Sequence, residues 1–260
     1  MSEQPTPTDI LRSETRDQVL VLTLNRPEAK NSFNAALSQA LSDALDRFEE
    51  DPALRVCVLT GAGGSFSAGM DLKALLKGES SSTEKRGGFG IMSRPPNKPI
   101  IAAVEGYAVA GGMELALCCD LIVATEASKF GIPEVKRGLV AVGGVLFRLP
   151  RRIPYHVVME LALTGELVSA ERCRELGLVS RVVSPGAALD AAIELAQRIS
   201  ANGPLAIAAT KQILQRSLEW TEADAWKEQH KLARPALRSK DATEGARAFA
   251  EKRAPVWRGE

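Results

Sequence analysis

PIIAAVEGYAVAGGMELALCCDLIVAT, residues 99–125, decides how the rest of the chain is read. PIIAAVEG at 99–106 and LIVAT at 121–125 are apolar without alternation, as strands covered on both faces are, while AGGMELALCCD at 110–120 has the leucines and length of a helix. Strand, glycine turn, helix, strand is the unit of a parallel-rich α/β protein. The unit recurs upstream. VLVLTL at 19–24 and RVCVLTG at 55–61 predict strands, and NAALSQALSDALDRFEE at 34–50 spaces Leu37, Leu41, Leu45 and Phe48 as one helical face. After VSRVVS at 179–184 the strand pattern stops, and 187–252 reads as helices broken at Asn202-Gly203-Pro204, Pro235 and Asp241. The expected organisation is an α/β core over 1–186 and a helical region over 187–260.

One residue in the decisive stretch is out of place. Glu114 stands in an apolar helix, and a carboxylate removed from water without a partner loses several kcal/mol of solvation. A core-facing glutamate therefore asks for a chemical role.

The composition narrows which one. With 45% hydrophobic and 25% charged residues in 260, the chain can bury a substantial core. A formal net charge of +1 supplies no global field for nucleic acid or an anionic membrane, so an anionic ligand must be met locally. The longest apolar region, 99–119, is interrupted by Glu105, Glu114 and glycines, which argues against a membrane span. MSEQPTPTDI lacks the basic start and apolar run of a secretory signal, and a cytoplasmic location is expected. Cys57, Cys118, Cys119 and Cys173 show no CxxC spacing and read as buried hydrophobes; His156 and His230, the only histidines, offer little for a zinc site or a triad. The polar, glycine-rich GESSSTEKRGGFG at 78–90 has no apolar period to anchor it and reads as a mobile loop.

Two glycine-rich turns remain. GAGGSFSAGMD at 61–71 follows a strand and precedes a helix, but it has Phe66 where a dinucleotide fingerprint needs glycine and no GK[ST]. Taken alone it reads equally well as a plain connection with Asp71 as N-cap. AGG at 110–112 is a second such turn, which sets Gly111 at a helix N-terminus with unpaired N–H groups. Two turns of this kind can aim two backbone N–H groups at one oxygen and so stabilise an oxyanion or enolate without a metal. Glu114, three residues beyond Gly111, looks into the same place. Glu134, in SKFGIPEVKRG, is the second candidate carboxylate; its competing reading is a helix-start glutamate paired with Lys136 or Arg137.

FSAGMDL at 66–72, KPIIAAVEGYAVAGGMELALCCDLIVA at 98–124 and FGIPEVKRGL at 130–139 together resemble the enoyl-CoA hydratase/isomerase (crotonase) family. The resemblance extends from NRPEAKNSFN at 25–34 through LTGELVSAERCRELGLVSRVV at 163–183 to FAEKRAPVWRG at 249–259. It implies a spiral of ββα units with a C-terminal helical region, assembly as homotrimer or homohexamer, an acyl-CoA thioester as substrate, and no cofactor beyond the coenzyme A that the substrate carries. It places the oxyanion-hole N–H groups on Met70 and Gly111 and the acid/base pair on Glu114 and Glu134, without dividing acid from base. Ala68, Met70, Asp71, Leu72 and Lys73 would line the acyl-pantetheine path, and Lys30, Phe249 and Lys252 would lie near the CoA nucleotide. Three departures stand out: Ala110 in place of a common glycine, Met70 in place of a common alanine, and LVAVGGVLFRLPRR at 139–152, which is similar to carnitinyl-CoA dehydratase-like members. Hydration of a 2-enoyl-CoA is the expected reaction because both glutamates are present. An isomerase, a carnitinyl-CoA dehydratase-like enzyme and a non-catalytic acyl-CoA- or RNA-binding protein of the same fold are the alternatives, the RNA reading being opposed by the near-zero charge.

Overall fold

Residues 10–260 are described in a computed structural model. Its centre is a six-stranded sheet in the order β1 (Leu11–Arg16), β2 (Val19–Leu24), β3 (Val56–Gly61), β6 (Ile100–Val104), β8 (Leu121–Thr125) and β11 (Arg181–Val183). β1 pairs with β2 antiparallel, and every other pair is parallel. Period-two alternation divides the apolar strands between two cores. Leu20, Leu22, Leu59, Ala102 and Ile122 face the larger cluster; Val19, Val21, Val58, Ile101 and Val123 face the other. Both faces are buried, which is why these strands read as continuous apolar runs.

A second layer holds β7 (Tyr107–Val109), β9 (Lys129–Gly131) and β10 (Val168–Ser169), extended by single parallel bridges from Ser67 to Ala108 and from Phe33 to Met70. The chain therefore repeats one path: a strand in the large sheet, a short extended passage in the second layer, then a helix. β2 leads through Phe33 to α1 (Ala35–Glu50), β3 through 67–70 to α2 (Leu72–Leu76), and β6 through β7 to α3 (Gly111–Cys118). β8 leads through β9 to a 3-10 turn, Pro133–Arg137. This repeat is the ββα spiral that the resemblance implies. Asn34 caps α1 by accepting from the Leu37 N–H, and Asp71 caps α2 by accepting from Lys73 and Ala74.

The helices α4 (Val145–Arg148), α5 (Tyr155–Thr164) and α6 (Ala170–Glu175) lead back to β11. The 186/187 division drawn from the strand pattern falls at the start of α7 (Ala188–Ser200), whose Ala188, Ala192, Ile193 and Ala196 cover the second face of the large sheet. Beyond it, α8 (Pro204–Arg216) is tied to the sheet by Lys211, whose Nζ lies 2.6 Å from Asp120 Oδ2. α9 (Glu222–Leu237) and α10 (Lys240–Ala250) follow, and Leu214, Leu218, Trp226, Leu237 and Phe249 are left exposed.

The reading of 78–90 as a loop without an anchor is corrected. A small hairpin, β4 (Ser82–Thr83) and β5 (Gly87–Gly88), presents Arg86, which is fully buried. Its Nε donates to Asp46 Oδ1 at 2.8 Å, its Nη1 to the Arg94 carbonyl at 2.8 Å, and its Nη2 to Glu49. Phe89 follows, buried and stacked on Phe33 with ring centroids 4.4 Å apart. A charge rather than an apolar stripe anchors the segment. All four cysteines are free and buried. Among the described residues no helix is long and apolar enough to cross a membrane, and no group of three or more metal-ligating side chains forms.

Candidate active site

The turn after β3 is built on Asn31, whose buried amide donates to the carbonyls of Ala62 at 2.9 Å and Ser65 at 2.7 Å. Ser67 Oγ donates to the Asn31 carbonyl at 2.9 Å and accepts from the Gly69 N–H at 3.1 Å. Gly69, at φ +90°, is where this turn meets the next: a methyl there would stand 2.6 Å from the Gly111 nitrogen. Glycine is required on both counts. Across the gap, Ala110 takes φ 52°, ψ −129°, its N–H donates to the Gly131 carbonyl at 2.9 Å, and α3 begins. A methyl at Gly111 would stand 2.6 Å from the Phe89 ring, so the aromatic residue packs directly behind this turn. Among the described residues no hydrogen bond uses the N–H of Met70 or of Gly111. Two unspent donors thus flank the closest approach of the two turns, an arrangement able to hold one oxygen.

Glu114 is 5% exposed on the first turn of α3. The Val145 N–H donates to its Oε1 at 3.3 Å, and Gly143 leaves room for the carboxylate, since a methyl there would lie 2.7 Å from Glu114 Cδ. Burial pushes the Glu114 pKa up, and the charge of Glu134 adds to the rise; the N–H groups of Val145 and Gly143 and the Arg148 guanidinium oppose it. Glu134 follows Pro133 in the 3-10 turn, and its Oε2 is buried without a hydrogen-bond partner among the described residues. Burial pushes its pKa up as well, with its own backbone N–H and then Arg137 opposing. Among the described residues no salt bridge holds Glu134, so pairing with Lys136 or Arg137 does not account for it. Two buried carboxyl groups, the charge of one raising the other and one of them with a bare Oε2, are a pair suited to acid–base chemistry.

The remaining sequence candidates divide. Met70 and Leu72 are 39% and 44% exposed at the lip formed by the first turn, with Lys73 exposed beside them. The N–H of Ala68, one turn in, donates to the Lys30 carbonyl at 2.9 Å. Lys30 puts its ammonium 5.3 Å from the Tyr107 ring centroid. Asp71 is occupied by its cap and by Arg26, 2.9 Å from its Oδ2; burial alone would raise its pKa, but Arg26 and the α2 N–H groups hold it below the usual carboxylate range. Phe249, 87% exposed, and Lys252 sit at the end of α10, and no hydrogen bond or ring contact among the described residues ties them to these turns. Gly143, Val145 and Arg148, within the 139–152 stretch that departs from the family, border the site, as do Phe89 and Met92, which no sequence signal marked.

The enoyl-CoA hydratase/isomerase family model matches residues 14–260. Enoyl-CoA hydratase EchA19 of Mycobacterium tuberculosis is 44% identical, covering 93% of this chain and 94% of its own. The carnitinyl-CoA dehydratase of Salmonella typhi is 43% identical over 93% and 95%. The crystal structure of enoyl-CoA hydratase EchA1 from Mycobacterium marinum superposes with a TM-score of 0.95 at 60% identity, covering 97% of this chain and all of that one. With the family model matching residues 14–260 and relatives 43–60% identical over more than nine-tenths of the chain, the chain belongs to the enoyl-CoA hydratase/isomerase family and has the crotonase fold.

Proposed function

We propose that this protein is an enoyl-CoA hydratase that adds water across the 2,3 double bond of a 2-enoyl-CoA thioester. One observation carries the reading: the buried, unpartnered Oε2 of Glu134 lies in the electrostatic reach of Glu114, at a site bordered by two unused backbone N–H groups. The thioester oxygen would accept from the N–H groups of Met70 and Gly111. When water attacks C3, its oxygen forms the new bond, its proton passes to Glu114, and the π electrons move onto the thioester as an enolate that those two N–H groups stabilise. C2 then takes a proton from Glu134. Proton exchange with solvent restores the pair after product release.

The surroundings of the two carboxyl groups support this division of labour. Burial raises both; the N–H groups of Val145 and Gly143 and Arg148 oppose the rise at Glu114, its own backbone N–H and Arg137 oppose it at Glu134, and the Glu134 Oε2 that meets no donor among the described residues favours Glu134 as the acid. Because the two interact, they titrate as a pair and the activity should follow a bell-shaped pH profile. Ala68, Leu72 and Lys73 would line the acyl-pantetheine path, Asp71 would shape it through its cap, and Lys30 would lie toward the nucleotide. The exposed apolar residues of α8 to α10 support a homotrimer or homohexamer in which Phe249 and Lys252 reach the CoA of a neighbouring subunit. We place the enzyme in the cytoplasm, needing no cofactor besides the substrate's own CoA and binding no nucleic acid.

The test is turnover of a panel of 2-enoyl-CoA thioesters, followed by loss of the conjugated absorbance, with a carnitine-type cationic acyl group included because of the 43% identical dehydratase. Glu114→Gln and Glu134→Gln should each lower kcat by about 10² to 10⁴ while leaving acyl-CoA binding intact. Near wild-type turnover in either variant would remove that glutamate from the mechanism.

A further inference from the structure

A half-buried arginine next to the site has no carboxylate partner. Among the described residues Arg148 forms no ion pair; its guanidinium is spent on carbonyls. Nη1 donates to the Gly143 carbonyl at 3.1 Å and Nη2 to the Met92 carbonyl at 2.5 Å, with Cys118 Sγ 3.6 Å from Nη1 and the Phe147 ring 5.2 Å away. Those contacts belong to three separate pieces of chain that meet around Glu114. Gly143 and Val145 form the turn whose N–H groups face the Glu114 carboxylate, Met92 packs where a methyl on Gly143 would lie 2.6 Å from its sulfur, and Cys118 is one helical turn below Glu114 on α3.

We propose that Arg148 is a positioning residue that clamps the 143–145 turn and the Met92 carbonyl around Glu114 and holds an unneutralised positive charge near that carboxylate. The proposal rests on the hydratase reading for its kinetic consequences. A planar fork is what the geometry uses, because two carbonyls from different segments are held by two nitrogens of one rigid group. The charge acts in the same direction, since Arg148 opposes the upward push that burial and Glu134 exert on Glu114. The other groups around Glu114 do not duplicate it. The 3-10 turn brings Glu134, which acts oppositely; α3 brings the Cys118 thiol, pushed up to about 11 by burial and therefore neutral; the Met92 stretch brings no charge against the carboxylate. Arg152, by contrast, and Arg148 repel each other.

The experiment compares wild type, Arg148→Gln and Arg148→Lys, measuring kcat and KM across pH and following Glu114 in the free enzyme by carbon NMR of carboxyl-labelled glutamate, assigned with Glu114→Gln. Circular dichroism and CoA binding check the fold. Arg148→Gln should lose up to about 10² in kcat with KM little changed, as expected for a misplaced catalytic group. Its acid limb and its Glu114 titration should both move to higher pH, because the charge that favoured the carboxylate is gone. Arg148→Lys keeps the charge but not the fork, so the limb should stay near wild type while kcat remains lowered. A folded Arg148→Gln with an unmoved Glu114 titration, or with kcat within about twofold of wild type, overturns the inference. Should Arg148→Gln not fold, Arg148→Lys decides: lowered kcat with an unmoved limb supports the clamp, and full kcat overturns it. If wild type hydrates no thioester, the hydratase reading fails, while the NMR titration still decides the role of Arg148.

Discussion

Gly143→Ala is the sharpest test of how Glu114 is held. Gly143 does not adopt a positive φ, so alanine fits its backbone, and in open space the exchange would stabilise the protein by about 0.4–1 kcal/mol. Here the space is taken. The new methyl would lie 2.7 Å from Glu114 Cδ, 2.6 Å from Met92 Sδ and closer still to Glu114 Oε2, where ordinary contact begins at 3.4 Å. Met92 is a flexible thioether and can yield; the carboxylate cannot without leaving the Val145 N–H, already 3.3 Å away. A displacement of roughly 0.7–1 Å at a proton-transfer group predicts a loss of up to about 10² in kcat, with KM changed little because the acyl-CoA path is untouched. Steady-state hydration of an enoyl-CoA, read as kcat and KM separately, measures this. A folded Gly143→Ala enzyme with wild-type kcat would show that the Glu114 carboxylate is not confined as described, and the mechanism built on its position would fall.

Further consequences concern stability. Ala110→Gly should relieve about 1–3 kcal/mol of strain at φ 52°, ψ −129° against about 0.4–1 kcal/mol of added chain entropy, a net gain of up to about 2.5 kcal/mol visible as a higher Tm; a lower Tm would contradict the strained assignment. Arg86→Met should cost about 3–5 kcal/mol in a denaturant titration, because Asp46 and Glu49 lose a fully buried partner. Lys85 and Arg86 hold Asp46 low, and the Asn97 amide and Arg86 outweigh the effect of burial on Glu49. The stability from both is thus present above the usual carboxylate range and lost as pH falls through their depressed values, so the Arg86→Met deficit should shrink in acid. Glu134→Gln should do the reverse of a damaging mutation for the fold: a carboxyl with a raised pKa destabilises once it ionises, so the variant should melt above wild type at pH 8 and match it at pH 4.

By itself the sequence determined what short-range pattern can encode. Ile100 to Val104 and Leu121 to Thr125 are apolar at every position because both faces of the sheet are covered, and a run of five such residues says so without a structure. Gly111 three residues before Glu114 and the Asp71 cap are likewise local: a turn, a helix start and a periodicity. The helical run after residue 187 was equally plain, but that its first helix covers the sheet with Ala188, Ala192 and Ile193 depended on where the chain returned. Tertiary structure alone decided the rest. Arg86 sits among serine, glutamate, lysine and glycine and looks solvated, since the carboxylates that bury it, on Asp46 and Glu49, lie 40 and 37 positions upstream. Glu114 is held by an N–H 31 positions away, and Gly69 meets Gly111 only because a residue without a side chain lets two turns of the spiral touch. Strand and helix patterns repeat every two or 3.6 residues and can be read locally, whereas a carboxylate's solvation and the aim of two N–H groups are set by which distant segments the fold brings against them.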